Sequence, residues 1–383
     1  MNFKARIARA APLMESLPAK CIAALALGLA GAGGFAPFEL AAAAAASIAG
    51  LFWLAAKENR PLAGALIGFL WGEAFFSVGL SWTFNSMHVY GGVPAVAAAL
   101  GVMALAAFLS LVPGAVCALA AWIKASRPLK AMFILPGLWC LGELVRGSWV
   151  MGFGWLSIGY AYVDSLFKSW APAAGVYGVG LVVNLLIGAL LVLLTGQQDK
   201  RRVVVRAATA IWAGVLALST VALDLVQWSK PAQSIEVRVV QADLPVAMRL
   251  TQSMQAQRAA RVEAMSRRSA MSSHIDLIVW PEGVFGYPVQ RLGAESLRAV
   301  LGTASSMQTE LLFNGFSQAA GARVFNSNWL AAPNGERNDL GAQIREVYQK
   351  HHLVPFGEFV PAGFRWFVDA LGIPMADQSA GPA

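Results

Sequence analysis

Charged side chains are scarce in this sequence. Asp, Glu, Lys and Arg make up 13% of its 383 residues, against about a quarter in typical soluble domains, while 57% of the residues are apolar. The mean hydropathy is +0.57. This composition excludes an ordinary water-soluble domain, a disordered chain and a collagen-like fibre. It indicates a membrane protein.

Cysteine is also scarce. The three cysteines, Cys21, Cys117 and Cys140, all lie in apolar stretches. Their number and spacing exclude a disulfide framework and a spaced zinc motif, and they carry no information on the redox compartment.

Apolar stretches of membrane-spanning length are confined to residues 1–228. A bilayer core about 30 Å thick requires about 20 mainly apolar helical residues. Seven stretches approach or exceed that length, near residues 20–36, 38–56, 62–82, 93–123, 129–147, 172–195 and 204–227. The sequence therefore predicts a membrane domain over 1–228 with about seven transmembrane helices, and a second domain over 229–383.

Basic residues fall unevenly on the two sides of these predicted spans. Thirteen Lys and Arg lie on one side, whereas the other side, up to Trp228, has only Arg146 and Lys168. Because cytoplasmic loops retain basic residues, we expect a multi-pass protein of a bacterial inner membrane with a cytoplasmic N-terminus and a periplasmic second domain. The net charge of +8 then reflects topology, and no nucleic acid is expected as a partner. The basic start and the apolar run from Cys21 also fit a cleavable signal peptide, which would leave this orientation unchanged.

From Ser234 onward the pattern changes to short β-rich runs separated by helical patterns. Apolar residues recur at roughly helical spacing from Leu250 to Met265 and from Leu292 to Leu301. This alternation predicts an α/β domain with a sheet covered by helices. The predicted strands begin at Ile235, Ile275, Leu311 and Val324.

The first candidate for chemistry is Glu282, in the motif WPEG. It follows directly after the apolar run that ends at Trp280, and Pro281 would stop further ladder pairing there. The carboxyl edge of a sheet is where α/β proteins commonly build active sites. A solvated glutamate in a turn is the alternative interpretation.

The second candidate is the segment YQKHHLVPFGEFVP, from Tyr348 to Pro361. Its Lys350 and Glu358 bracket a turn. A loop with a solvated lysine is the alternative here. His351 and His352 are adjacent and would face opposite ways on a strand, so we expect no metal site.

Two charged residues fall inside the fifth predicted span. Glu143 and Arg146 stand at i and i+3 and can pair on one helix face, where unpaired charge would be costly. Phospholipid head-group contact and structural pairing are both open. Trp149 and Trp155 cluster just outside the span, as in an interfacial aromatic belt, and are candidates for guiding lipid.

Taken together, these motifs resemble one family. WPEG followed by YxKxHLVPFGEFVP, with GELVRG at 142–147, GFGWLSIGYAY at 152–162 and VVQADLP at 239–245, is similar to bacterial apolipoprotein N-acyltransferase, a membrane-anchored member of the nitrilase superfamily. The resemblance covers essentially the whole chain. It implies a multi-span α-helical membrane bundle followed by an α/β nitrilase-like (α-β-β-α sandwich) extracytoplasmic domain.

Carried over onto the matching positions, the resemblance implies Glu282 as general base, Lys350 as the cation on the oxyanion side and Glu358 as a supporting carboxylate. It implies that a cysteine takes an acyl chain from a membrane phospholipid as a thioester. The N-terminal amine of a diacylglyceryl apolipoprotein then accepts that chain. The chemistry suits these residues, since a base activates a thiol and a lysine ammonium stabilises developing negative charge. No metal or organic cofactor is implied.

The chain departs from the family pattern in one respect. That pattern runs Glu, Lys, Cys, with the nucleophile on a later strand, but no cysteine follows Cys140 in these 383 residues. We therefore expect a C-terminally incomplete sequence, with a genuine truncation as the alternative, and no acyl-enzyme from the chain as written. The other functional hypotheses are a membrane-anchored nitrilase-type amidohydrolase and a non-catalytic lipid-binding or transport membrane protein.

Overall fold

The protein divides into two compact units in a computed structural model. One comprises Met1–His88 and Pro94–Ser229, and the other comprises Val89–Val93 and Lys230–Ala383. The structure describes residues 16–150, 152–195, 200–244, 251–268, 274–319, 323–333, 344–355, 357–360, 363, 365–366, 369 and 377–382, with backbone only at 149–150 and 200–202.

The first unit is built from apolar helices at all seven predicted positions. Five of them are long and apolar enough to cross a membrane, and the first two, of 16 and 17 residues, are shorter. The helices are α1 Leu17–Ala32, α2 Ala41–Lys57, α3 Pro61–Gly79, α4 Ala95–Trp122, α5 Arg127–Ser148, α6 Ala171–Thr195 and α7 Lys200–Asp224. Ser16 caps α1 by accepting a hydrogen bond from the Ala19 N–H, as expected of a serine at that position.

Helices α3 and α4 approach each other closely along a row of glycines. A Cβ atom on Gly64 would lie 2.6 Å from the Cys117 carbonyl oxygen, and one on Gly68 would collide with the Pro113 carbonyl. Gly64, Gly68 and Gly72 form two consecutive GxxxG steps in the sequence. These steps serve helix packing, because only glycine leaves room for the facing backbone.

Polar groups inside this unit are tied to other helices. The Trp71 indole N–H donates to Ser47 Oγ at 2.9 Å, and the Ser47 hydroxyl donates to the Leu27 carbonyl at 2.6 Å. These bonds link α1, α2 and α3 through groups that are costly to bury without a partner. Trp71 also stacks on Phe75 with ring centroids 4.7 Å apart.

The second unit contains a five-stranded mixed sheet in the order β1-β2-β3-β4-β5. Strands β1 to β3 are parallel, and β3, β4 and β5 are successively antiparallel. The strands are β1 Val237–Val239, β2 Leu277–Val279, β3 Glu310–Gln318, β4 Val324–Ala331 and β5 Ile344–Gln349. The sequence missed β5 because most of its residues are exposed and it shows no alternation of apolar and polar residues.

Two helices share a core with this sheet. They are α8 Gln252–Ser266 and α9 Ala294–Met307, where helical spacing predicted them. Val262 of α8 and Val300 of α9 are fully buried in one cluster with Ile278 and Leu311 of the sheet. The four predicted strands and both predicted helices are therefore confirmed as elements of an α/β unit.

Candidate active site

The candidate residues meet at one edge of the sheet. The carboxyl ends of β2, β3 and β5 lie there, together with the amino end of β4, because β4 and β5 alternate in direction. Glu282 follows β2, and Lys350 follows directly after β5. Topology therefore brings together two motifs that are 68 positions apart in the chain.

Glu282 lies in a turn whose backbone is bonded to side chains of helix α8. Gly283 has φ +81°, a left-handed conformation that favours glycine, which explains the last residue of WPEG. The Arg258 guanidinium donates to the Gly283 carbonyl at 2.6 Å, and the Gly286 N–H donates to Gln255 Oε1 at 2.9 Å. Helix α8 thus fixes the loop that carries the exposed Glu282 side chain.

Asn326, near the start of β4, connects the candidate carboxylates. Its Nδ2 donates to Glu358 Oε1 at 3.0 Å and to Glu282 Oε1 at 3.3 Å. Its Oδ1 accepts from Asn314 Nδ2 at 2.7 Å, which orients the amide with its donors toward the two acids. Asn326 is 7% exposed.

Lys350 and Glu358 form an ion pair. The Lys350 Nζ donates to Glu358 Oε1 at 2.9 Å, and the Val354 N–H donates to Oε2 at 2.8 Å. Burial alone raises the pKa of Glu358, but the bonds from Lys350, Val354 and Asn326 outweigh burial and hold that pKa below its ordinary value. Glu358 is therefore an anion at neutral pH, and its ion pair holds the Lys350 ammonium in position.

Backbone bonds fix the loop around this pair. The Gln378 N–H donates to the Glu358 carbonyl at 2.8 Å, and the Gly381 N–H donates to the Lys350 carbonyl at 2.9 Å. His351 Nδ1 lies 2.9 Å from the Gly381 carbonyl, so this ring serves the loop backbone. Within the described ranges, no group of three or more His, Cys, Asp or Glu side chains is placed to hold a metal ion.

The residues that sequence reasoning missed are Asn314 and Asn326. Both lie inside predicted strand runs, and an amide in such a run was the available signal. The sequence did not indicate that β3 and β4 place these amides at the edge where Glu282 and Glu358 arrive.

A nucleophilic thiol is not among the groups at this edge. All three cysteines lie in helices of the first unit, Cys117 fully buried and Cys21 and Cys140 partly so. The edge thus combines an exposed carboxylate, an ammonium group and a buried carboxylate, which together can accept a proton and stabilise an oxyanion.

In the first unit, Glu143 and Arg146 both bind the loop that follows α5. The Arg146 guanidinium donates to the Phe153 carbonyl at 3.0 Å, the Trp155 carbonyl at 2.6 Å and Ser157 Oγ at 3.1 Å. Glu143 Oε1 accepts from the Ile158 N–H at 2.8 Å. These two side chains are 5% and 4% exposed, and they attract each other electrostatically without an ion-pair contact within 4 Å in the described part of the chain.

Trp149 and Trp155 are the two tryptophans near this loop. The side chain of Trp155 is 53% exposed, while its carbonyl is bound by Arg146. The side chain of Trp149 lies outside the described residues. Guidance of lipid by either indole stays a prediction.

Comparison with known proteins places the chain. Residues 27–190 match the model of the apolipoprotein N-acyltransferase N-terminal domain. A putative apolipoprotein N-acyltransferase of Bordetella parapertussis is 34% identical over 379 residues, covering 91% of this chain and 67% of that protein. The apolipoprotein N-acyltransferase of Nitrosomonas europaea is 32% identical, covering 94% of this chain and 70% of that protein. This chain belongs to the apolipoprotein N-acyltransferase family.

The family relationship reaches into both units. The match with the Nitrosomonas europaea acyltransferase covers 94% of the chain and so includes most of the second unit, whereas the family model ends within the first. The chain spans about two thirds of the length of the acyltransferases it matches. The predicted resemblance to this family is confirmed.

Proposed function

We propose that the protein transfers a fatty acyl chain from a membrane phospholipid to the N-terminal amine of diacylglyceryl apolipoproteins. The observation that carries the proposal is the convergence of Glu282, Lys350 and Glu358 at one sheet edge. Asn326 joins the two carboxylates there, and Lys350 pairs with Glu358. Support also comes from relatives named apolipoprotein N-acyltransferase. Apolar helices suit an enzyme whose donor lies in a bilayer.

The first step forms a thioester. Glu282 takes the proton of a cysteine thiol, and the thiolate sulfur attacks the ester carbonyl carbon of the phospholipid. Lys350 stabilises the resulting oxyanion, and Glu358 holds Lys350 in position. The ester C–O bond then breaks, and the proton from Glu282 goes to the leaving alcohol, which departs as a lysophospholipid.

The second step forms an amide. The amine of the apolipoprotein attacks the thioester carbonyl, and Glu282 accepts a proton from the attacking nitrogen. The C–S bond then breaks, and the leaving sulfur takes that proton from Glu282, which restores the cysteine thiol and the ionised base. None of the three cysteines of this sequence lies in the second unit, so the thiol in this scheme is one outside these 383 residues.

The proposal includes a nitrilase-like α-β-β-α sandwich for the complete catalytic domain.

The decisive experiment expresses the gene with its complete reading frame and follows one diacylated lipoprotein by mass spectrometry. We expect a mass increase of one acyl chain, lost in Glu282→Gln and in Lys350→Ala. Glu263→Gln is the matched control, because Glu263 pairs with Arg267 and bonds to no site residue in the described part of the chain. Wild-type acylation by either site variant, or loss in all three variants, would overturn the assignment.

The proposed orientation has its own test. We propose that the N-terminus is cytoplasmic and the second unit periplasmic in a bacterial inner membrane, since Lys and Arg concentrate in alternate loops. A reporter active only in the periplasm and fused after Ser234 should be active. An active cytoplasmic reporter at the same junction would reverse the topology.

A further inference from the structure

A cavity of about 530 Å³ lies at one end of the helix bundle in the first unit. It is formed where the turn between α2 and α3 meets the end of α4, and its lining includes Asn59, Trp122 and Lys124. Its volume is within the range of sites that hold small molecules, about 300–1,000 Å³. None of its residues belongs to the proposed catalytic site.

One wall of the cavity is fixed by a buried ammonium group. Lys130 is 1% exposed, and its Nζ donates to the Glu58 carbonyl and to Asn59 Oδ1, both at 3.2 Å. Because the oxygen of the Asn59 amide faces Lys130, the amide nitrogen is left to donate elsewhere, and it bonds to no group that the structure describes. The cavity thus has a prearranged hydrogen-bond donor.

The charge around the cavity is positive. Glu58 is the only acid in residues 52–72 and 112–139, and Lys20 covers its carboxylate at 2.9 Å. Lys124 in the lining and the nearby Arg127 are exposed, and neither makes an ion pair with a described residue. Retention of basic residues in cytoplasmic loops accounts for these charges but not for the cavity that Lys124 lines.

The rim of the cavity is apolar and faces outward. Trp122 of the lining is 69% exposed, and Leu62, the residue after the lining residue Pro61, is 87% exposed; both belong to helices long and apolar enough to cross a membrane. A ligand here would therefore place a charged group against Lys124 and Asn59, with its apolar part along exposed helix surface.

From this combination we propose that the cavity binds the head group of an acidic phospholipid, with Lys124 as ion-pair donor and Asn59 as hydrogen-bond donor to the phosphate. The phosphate diester of such a lipid supplies a negative charge to pair with Lys124. The acyl chains of the lipid would lie against the exposed side chains of Leu62 and Trp122. A zwitterionic lipid such as phosphatidylcholine carries the same phosphate but also a quaternary ammonium, whose repulsion by Lys124 and the nearby basic residues would weaken its binding.

The experiment measures binding of phosphatidylglycerol and phosphatidylcholine to the purified protein in detergent by native mass spectrometry. We expect saturable retention of phosphatidylglycerol that weakens about fivefold in Lys124→Gln and recovers in Lys124→Arg, since one cation near an anionic lipid contributes about that factor. Lys168→Gln is the matched control, because Lys168 is an exposed basic residue outside the cavity lining. It should bind as the wild type does.

Three results would overturn the proposal. They are equal retention of phosphatidylcholine and phosphatidylglycerol, unchanged binding in Lys124→Gln, and an equal loss in Lys168→Gln. A further arm adds glycerol 3-phosphate, and displacement of the lipid at comparable concentration would assign the cavity to a soluble phosphate instead. Lys124 is exposed, so its variants should retain the wild-type circular dichroism spectrum.

Discussion

Replacement of Asn326 by alanine removes the amide that joins the two carboxylates of the site. The hydrogen bonds to Glu358 at 3.0 Å and to Glu282 at 3.3 Å would be lost. Asn314 Nδ2 donates to Asn326 Oδ1 at 2.7 Å and would lose this acceptor. It would still donate to the Ser327 carbonyl at 3.1 Å. Lys350 would remain the only side-chain donor to Glu358 among the residues that the structure describes.

The size of the effect follows from these distances. A hydrogen bond to an ionised acceptor contributes about 1.5–3 kcal/mol, and the shorter bond to the buried Glu358 dominates. The two carboxylate oxygens share one donor nitrogen and so lie no more than about 6 Å apart, where like charges repel by about 3 kcal/mol at an effective dielectric of 20. Glu282 is exposed, so water can replace part of the lost hydrogen bonding and screen part of the repulsion between the two carboxylates. We expect a net change of about 2 kcal/mol against the ionised form of Glu358, so the pKa of Glu358 should rise.

The sign of the pH dependence is fixed by the direction of the shift. The pKa of Glu358 is held below its ordinary value in the folded protein. Its contribution to stability is therefore present above the unfolded pKa of about 4.3 and is lost as pH falls through the folded pKa. In Asn326→Ala the folded pKa rises, so the contribution is smaller and disappears at a higher pH.

Hydrogen exchange at Val354 reports this change locally. Its N–H donates to Glu358 Oε2 at 2.8 Å, so its protection factor should fall when Glu358 is protonated. We expect the midpoint of this fall to lie at a higher pH in Asn326→Ala than in the wild type, because the mutation removes a donor that stabilises ionised Glu358. Asn328→Ala is the control, since Asn328 is on the same strand and donates to neither carboxylate. An unchanged midpoint in Asn326→Ala, or an equal shift in Asn328→Ala, would refute the role of this amide.

Two further predictions concern stability of the first unit, measured by thermal unfolding in detergent. Lys20→Met should cost about 3 kcal/mol because it strips a buried partner from Glu58, whereas Arg60→Met should cost less than about 1 kcal/mol because Arg60 is 68% exposed in its pair with the same carboxylate. Equal losses would contradict the role of burial. Gly68→Ala should destabilise by about 1–3 kcal/mol through collision with Pro113, while Gly137→Ala, with no atom within 4 Å of the added Cβ, should be neutral or stabilising. A tolerated Gly68→Ala would show that α3 and α4 separate at little cost.

Glu143 and Arg146 show where local pattern was insufficient. Their spacing of i, i+3 allowed a pair on one helix face, and the two side chains attract each other electrostatically. Arg146 also bonds to three groups of the 153–157 loop, and Glu143 accepts from the Trp139 indole and the Ile158 N–H. Buried charge needs partners, and the sequence indicated that need correctly. The partners in the 153–158 loop depend on a turn of the chain, which the spacing of residues within the helix does not predict.

The sequence by itself determined the apolar helices, the α/β character of the second unit and the candidacy of Glu282, Lys350 and Glu358. Hydropathy, alternation and local motifs are properties of neighbouring residues, so they are readable along the chain. Only the tertiary structure decided that the Asn326 amide joins Glu282 to Glu358 and that Lys350 pairs with Glu358, because the sheet order and the reversal at β4 set which strand ends meet. The same reason holds for the cavity beside Lys124, which requires two separate helix ends to lie side by side.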